Sequence, residues 1–411
     1  MGLFAREQIV VGLEVGTTKV CVVVAEVLEN HELMIIGSAL APSRGVRKGE
    51  IVEMEAAVQS VQEAITRAED ETGVEIHTVY AAVTGGHIRS FNNRGNVVVT
   101  RDDGEIGTQD INNVLLNAKA VSIPVDHAII HAIRQRFFVD GQDGIQNPVG
   151  MFGTKLEADV HVIHGLRTRL HNTLRCIRQV PLEIKSIVVS SFASALAVLT
   201  PENQQEGALV IDMGGGVTDY ILFREGIVEH SGVLAVGGDH VTNDIALGLK
   251  VPINRAERLK VEHGSVLMPD TEEIIRYKRE VGLPELELSR RQLCRIMNLR
   301  IEETLTLIRQ DVQKRGFLDY LGAGVFLTGG CARTAGIQKL AEGVFGCPVT
   351  LAYSRVAPGT GTVMESPEYS TAVGLVRYAV SSQRDVAPMG GWSTRWNRMW
   401  QTAWDRIRTF F

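Results

Sequence analysis

Two short stretches place a carboxylate and a run of small residues where a phosphate could be held. Glu14 precedes Gly16-Thr17-Thr18-Lys19, and Asp212 precedes Gly214-Gly215-Gly216 and Thr218. The form repeats: an apolar run, a carboxylate, one residue, a glycine, a small polar turn and a second apolar run. Glu14 to Asp212 and Gly16 to Gly214 are both separated by 198 residues. Glycine lets backbone approach a ligand closely, and successive N–H groups aimed into one concavity bind phosphate oxygens. A carboxylate at the end of the preceding strand can hold Mg²⁺, usually through its waters, and Lys19 adds positive charge. One such turn is weak evidence, since an ordinary hairpin has the same look. Two matched turns, each with its carboxylate, point to two related halves that clamp the phosphates of a nucleotide.

A third stretch, Val325-Phe326-Leu327-Thr328 running into Gly329-Gly330, is a buried-type strand that ends where a flat purine and its ribose can lie against bare backbone. The GxxxxGK[ST] and GxGxxG phosphate loops are both absent, as are GxSxG and HExxH. His127 and His131 stand four apart and His161 and His164 three apart, but neither pair has a third ligand, so both read as ordinary histidines. Spacing alone identifies no water-activating residue, and the catalytic group stays unknown.

Whole-chain properties narrow the class. Of 411 residues, 45% are apolar and 22% charged, enough for two or three domains with sizeable cores. The net charge of -6 argues against nucleic-acid binding by the bulk of the chain, which would need a basic face. Five cysteines without a CxxC spacing fit a reducing compartment better than a disulfide framework. No secretory signal is visible and no apolar run is long enough to span a bilayer, so the body reads as cytosolic.

The elements that must position these residues are strand–turn–strand units at Ile9 to Ala25 and Ala208 to Phe223. A helix is predicted over Asp110 to Lys119, with Asp110 as N-cap and Ile111, Val114, Leu115 and Ala118 on one face. The C-terminal end differs from the rest. All four tryptophans, Trp392, Trp396, Trp400 and Trp404, lie four apart in the last 20 residues. On a helical wheel they share an arc of roughly 140° with Met399, Ile407, Phe410 and Phe411. Arg395, Arg398 and Arg406 fall outside it. Four arginines and one aspartate give 390–411 a charge of +3, leaving -9 on the remainder. Tryptophan prefers the headgroup boundary and arginine reaches lipid phosphates, so this segment reads as an in-plane membrane helix behind a polar linker.

Taken together, the Gly16-Thr17-Thr18-Lys19 hairpin, the Asp212 turn and Leu327-Thr328-Gly329-Gly330 resemble the phosphate-1, phosphate-2 and adenosine motifs of the actin/Hsp70/hexokinase ATPases. Within that superfamily the chain resembles the FtsA family of actin-like bacterial division proteins. Pro42-Ser43-Arg44-Gly45, Asn147-Pro148-Val149-Gly150, Thr371-Ala372-Val373-Gly374-Leu375 and the amphipathic end carry the likeness over essentially the whole chain.

The resemblance implies an α/β, actin-like two-domain ATPase fold of duplicated RNase H-like domains, with a 1C subdomain replacing actin's 1B. Subdomain 1A is expected at 1–82 and 165–207, with a return at 355–380, and 1C at 83–164. Subdomain 2A is expected at 208–250 and 318–354, 2B at 251–317, a linker at 381–390 and the membrane helix at 391–411. It further implies ATP and Mg as cofactors, with Glu257, Lys260 and Gly238 near the adenosine beside Gly329 and Gly330. Arg300 and Glu303 sit in the helix that docks the C-terminal peptide of the tubulin-like FtsZ, although a solvated helix face is equally consistent. The implied function is a filament on the cytoplasmic face of the inner membrane at the division site. Such a filament binds anionic lipids through its tail, anchors the FtsZ ring and recruits later division proteins through 1C. Most of the superfamily has Asp where this chain has Glu14, which argues for a nucleotide-regulated scaffold with slow hydrolysis over a fast enzyme. The alternatives are a pilus-assembly PilM-like homologue, which lacks such a tail, and a small-molecule kinase of the same superfamily.

Overall fold

The computed structural model describes residues 9–28, 32–101, 103–277, 286–354 and 365–384. Residues 385–390 and the amphipathic segment, with Trp392, Trp396, Trp400 and Trp404, lie outside the described residues, as do 355–364. The first four residues of the expected linker, 381–384, instead continue the helix Ser370–Arg384.

Two five-stranded sheets organise the chain, and they have the same topology. The first runs Leu33–Pro42, Lys19–Val27, Ile9–Val15, Thr78–Val83, Glu183–Val189 across the sheet. The second runs Ile227–Leu234, Thr218–Arg224, Ala208–Met213, Gly324–Thr328, Val349–Leu351. In each, the first three strands in sequence form an antiparallel meander, and the fourth and fifth add in parallel on the other side of the first. The 198-residue repeat extends to individual hydrogen bonds. Gly16 N–H donates to Lys19 O and Gly214 N–H to Val217 O, both at 2.9 Å.

Strand alternation sets the layers. Odd positions of the first strand (Val11, Leu13, Val15) pack into the outer core of domain 1 with helices Met54–Thr72 and Arg167–Gln179. Leu209, Ile211 and Met213 do the same in domain 2, against Gly238–Leu249, Ile253–His263 and Arg290–Lys314. The opposite faces, Val10 with Cys21 and Val23, and Ala208 with Val210 and Ile221, share one central core with helices Ser190–Val198 and Ser370–Arg384. Because side chains alternate, Glu14 and Asp212 end their strands on this central side, where the domains meet.

The chain departs between the fourth and fifth strands of the first sheet, and between the third and fourth strands of the second. In domain 1 the insertion is a four-stranded antiparallel sheet in the order Arg89–Val98, Lys155–Leu166, His127–Val139, Gln142–Ile145. Helix Thr108–Lys119 covers one of its faces, burying Ile111, Val114, Leu115 and Ala118 as the spacing predicts. Asp110 is not the N-cap: the helix starts two residues earlier, after Gly107, and the Asp110 carboxylate accepts the Gly107 N–H at 2.9 Å from the third position. An acidic residue serves either place, and the preceding loop decides which.

The insert carries histidines kept neutral by burial. His131 is pushed down to about 4 and His161 to about 3 from an ordinary value near 6.5, burial being the main cause in both. The unfolded chain therefore binds protons that the folded chain refuses. Their stabilising contribution is complete above pH ~6.5 and is lost as pH falls toward those lowered values. Stability in urea is expected to drop between pH ~7 and pH ~5, by up to about 2 kcal/mol for each of the two groups. Equal unfolding free energies at the two pH values would contradict this.

Candidate phosphate-binding cleft

The two glycine turns meet. A Cβ on Gly215 would lie 2.4 Å from Thr18 Cγ2, and one on Gly216 would lie 2.3 Å from Thr17 Oγ1. Neither position has room for a side chain, so the turn of domain 2 rests directly on the turn of domain 1. Gly16, Thr17, Thr18, Lys19, Gly214, Gly215 and Gly216 line one cleft with Glu14, Asp212, Gly329 and Gly330. A Cβ on Gly330 meets no protein atom within 4 Å. Gly329 has φ of 82°, and its position is closed by Asp212 Oδ1, 2.3 Å from where a Cβ would stand. One glycine thus leaves wall space open, and the other lets the strand end turn away from the carboxylate.

The carboxylates differ in how they are held. Glu14 Oε2 accepts from Lys19 Nζ at 2.6 Å. Burial raises Glu14 above its ordinary range, by more than Lys19 lowers it. Burial works against the Lys19 charge, but Glu14, helped by Cys21 and Asp212, outweighs it and Lys19 stays protonated. Asp212 Oδ2 accepts from Ser194 Oγ at 2.5 Å and Thr371 Oγ1 at 3.0 Å, each from a helix of the central layer. Asp219 faces Asp212 across the hairpin and accepts from Thr84 Oγ1 at 2.7 and 2.8 Å. Burial, then the nearby Asp212, push Asp219 well above the carboxylate range. Four carboxylates round one small cleft, Glu14, Asp212, Asp219 and Glu368, form an oxygen donor set of the kind that suits a hard divalent cation. Among the described residues, no three His, Cys, Asp or Glu groups converge on one ion. A cation here would be held mainly through water and ligand oxygens.

Several lining residues were not singled out for the cleft from the sequence: Gly49, Thr84, Ser190, Asp219, Pro367, Glu368 and Thr371, the last known only as part of a motif of the resemblance. Asp219 had a signal, since it occupies the place of Cys21 in the 198-residue repeat. The others come from distant elements that only tertiary packing brings in. Thr218, by contrast, is fully buried and lies outside the lining; its Oγ1 donates to Val236 O at 2.8 Å. It braces the turn, and its neighbour Asp219 is the residue that reaches the cleft.

The remaining predicted residues gather elsewhere. Gly238 N–H donates to Gly214 O at 3.0 Å, which puts this glycine behind the 214–216 turn. Lys260 Nζ donates to Glu257 Oε2 at 2.7 Å, to Thr242 Oγ1 at 2.8 Å and to Gly238 O at 3.3 Å. Glu257 and Lys260 therefore form a rim cluster beside the cleft and are not among its lining residues. Arg300 pairs with Asp244 at 2.5 Å and with Glu303 at 2.6 Å. Both border a shallow surface groove with Leu247, Ile296 and Leu299, far in sequence from the glycine turns.

Duplicated five-stranded sheets with paired turns at a central cleft, and a small β-sheet subdomain inserted in the first domain, define an actin-like protein. The SHS2 domain inserted in FtsA matches residues 85–164, and the cell division protein FtsA model matches 209–374. FtsA of Pseudomonas aeruginosa is 38% identical over 384 residues, covering 93% of this chain and 92% of that protein. FtsA of Escherichia coli K12 is 33% identical over 408 residues, covering 95% and 97%. The chain belongs to the FtsA family of cell-division proteins. Among solved structures, a chain of the PilM–PilN type IV pilus biogenesis complex superposes with a TM-score of 0.65 at 16% identity, covering 90% of this chain and 98% of that one. MreB5 of Spiroplasma citri bound to ADP gives 0.56 at 15%, covering 94% and 100%. At such identities they share the fold.

Proposed function

We propose that this chain is an ATP-binding, membrane-tethered division scaffold. The observation that carries the reading is the convergence of both glycine turns on one cleft, Thr17 and Thr18 against Gly216 and Gly215, with a carboxylate behind each. Backbone N–H groups of 16–18 and 214–216, with Lys19, are suited to the phosphate oxygens of ATP. Gly329 and Gly330 offer bare backbone to the adenosine, with Gly238, Glu257 and Lys260 at its rim. Glu14 and Asp212 would orient the water shell of Mg²⁺, which supplies charge neutralisation between phosphates. Spanning both turns, ATP would favour the closed pair of domains and so assembly into actin-like filaments.

The segment 391–411 would lay its tryptophans, Met399, Ile407, Phe410 and Phe411 in the headgroup layer of the inner membrane. Partial burial of one helix face gives reversible binding, which several tails on one filament multiply. The groove beside Arg300 and Glu303 would take the FtsZ C-terminal peptide, and the inserted subdomain would meet later division proteins at the septum. Co-sedimentation with anionic vesicles tests the tether. The full chain is expected to pellet with them, more strongly with ATP and Mg²⁺, and a chain ending at Pro388 to stay in solution. Equal recovery of both chains in the supernatant would leave a soluble ATPase as the better reading.

A further inference from the structure

The inserted subdomain touches both walls of the cleft. On domain 2, three of its side chains donate to carbonyls of the edge strand Ile227–Leu234. Gln135 Nε2 reaches Val228 O at 2.7 Å, Asn92 Nδ2 reaches Glu229 O at 3.1 Å, and Ser90 Oγ reaches Ser231 O at 2.6 Å. The His161 ring sits between Asn92 Oδ1 at 2.6 Å and Ser231 Oγ at 2.8 Å. The Glu229 carboxylate, 3% exposed, is shared by Arg136 of the insert and Arg224 of domain 2. An edge strand normally leaves its carbonyls to water or to another strand. Here side chains of the insert close that edge.

On domain 1, His131 Nε2 accepts the Val189 N–H at 3.1 Å, one residue before the cleft-lining Ser190. Thr84, where the chain enters the insert, holds both oxygens of Asp219. The capped edge strand also leads straight to the phosphate turn. Two residues beyond Leu234, Val236 O accepts from Thr218; Gly238 and Asp239 then donate their N–H groups to Gly214 O at 3.0 Å and Gly215 O at 2.7 Å. A shift of the edge strand is therefore passed to the turn through one short, hydrogen-bonded segment.

We propose that the insert is a clasp whose seat on strand Ile227–Leu234 holds the 214–216 turn in its phosphate-ready shape. A protein partner that draws the insert off this strand loosens the nucleotide, and by reciprocity bound nucleotide resists that partner. The nucleotide part of this inference rests on the reading of the cleft given above.

The test compares the full natural chain with an Asn92→Ala/Gln135→Ala variant, first by hydrogen exchange without nucleotide. Exchange over 235–240 is expected to quicken by about tenfold or more, with Ala208–Met213 unchanged, as expected of a local opening. Release of a fluorescent ATP analogue is then expected to quicken by about fivefold, the reciprocal of the seat's hold on the turn. Unchanged exchange over 235–240 overturns the clasp, whether or not the analogue binds. Faster exchange in a chain whose natural form takes up no analogue supports the mechanical link and counts against the nucleotide reading alone. If the double variant loses its fold, so that Ala208–Met213 exchanges equally fast, Ser90→Ala is read instead. That variant gives up a single hydrogen bond, and no quickening over 235–240 in it overturns the proposal.

Discussion

A Gly215→Asp variant is expected to bind ATP with Mg²⁺ about a thousandfold more weakly than the natural chain, with its unfolding midpoint little changed. Two effects add. The first is steric: the new Cβ would stand 2.4 Å from Thr18 Cγ2, so the facing turns must part. The second is electrostatic, because the new carboxylate joins Asp212 and Asp219 beside the phosphate site. Two like charges about 4 Å apart repel by about 4 kcal/mol at an effective dielectric constant of about 20, which is about three decades in affinity. The fold should survive, since Gly215 sits at the cleft and belongs to neither core. Titration calorimetry checks the affinity, and a value within about threefold of the natural chain would remove this turn from the phosphate site.

Gly374→Val should cost more than any other single change considered, this time in stability. Helix Ser370–Arg384 lies between the two sheets. A Cβ at Gly374 would fall 1.7 Å from Ala193 O, and on the same helix Ala372 O lies 2.4 Å from where Gly12 would carry one. Neither obstacle is a flexible side-chain end; both are backbone carbonyls. The helix must move away from Ser190–Val198, opening the central core and withdrawing Thr371 from Asp212. Overpacking of a close-packed core costs about 1–3 kcal/mol when side chains can yield, and backbone cannot. A loss of at least about 3 kcal/mol in urea unfolding is expected, along with weakened nucleotide binding. A loss below about 1 kcal/mol would mean that the helix has freedom these distances deny it.

The cleft was partly legible because its two glycine turns are local signals. A glycine turn after an apolar run that ends in a carboxylate is a contiguous pattern, and its recurrence after 198 residues made both halves readable. Cys21 and Asp219 occupy the same place in that repeat, so the second hairpin brings a third carboxylate where the first brings a thiol. That difference lies in the sequence, although spacing gives no reason to single it out. Thr84, Ser194 and Thr371 carry no such pattern. They are ordinary hydroxyls until the central helices and the root of the insert set them against Asp212 and Asp219.

The amino-acid sequence by itself determined the strand–turn–strand units, the order of the elements, the helical face of the insert and the charge contrast between the body and the C-terminal end. All of these are periodicities or runs within a few residues of each other, and local sterics and alternation suffice to express them. Tertiary structure decided which side of each turn faces the other, that Thr218 braces the turn while Asp219 reaches the cleft, and that Glu257 and Lys260 stand at the rim. It also decided that the insert seats on domain 2, through Ser90, Asn92, Gln135 and His161. Those contacts join residues some 70 to 140 positions apart. Hydrogen bonds of that reach follow from how two finished sheets pack, and no local pattern encodes them.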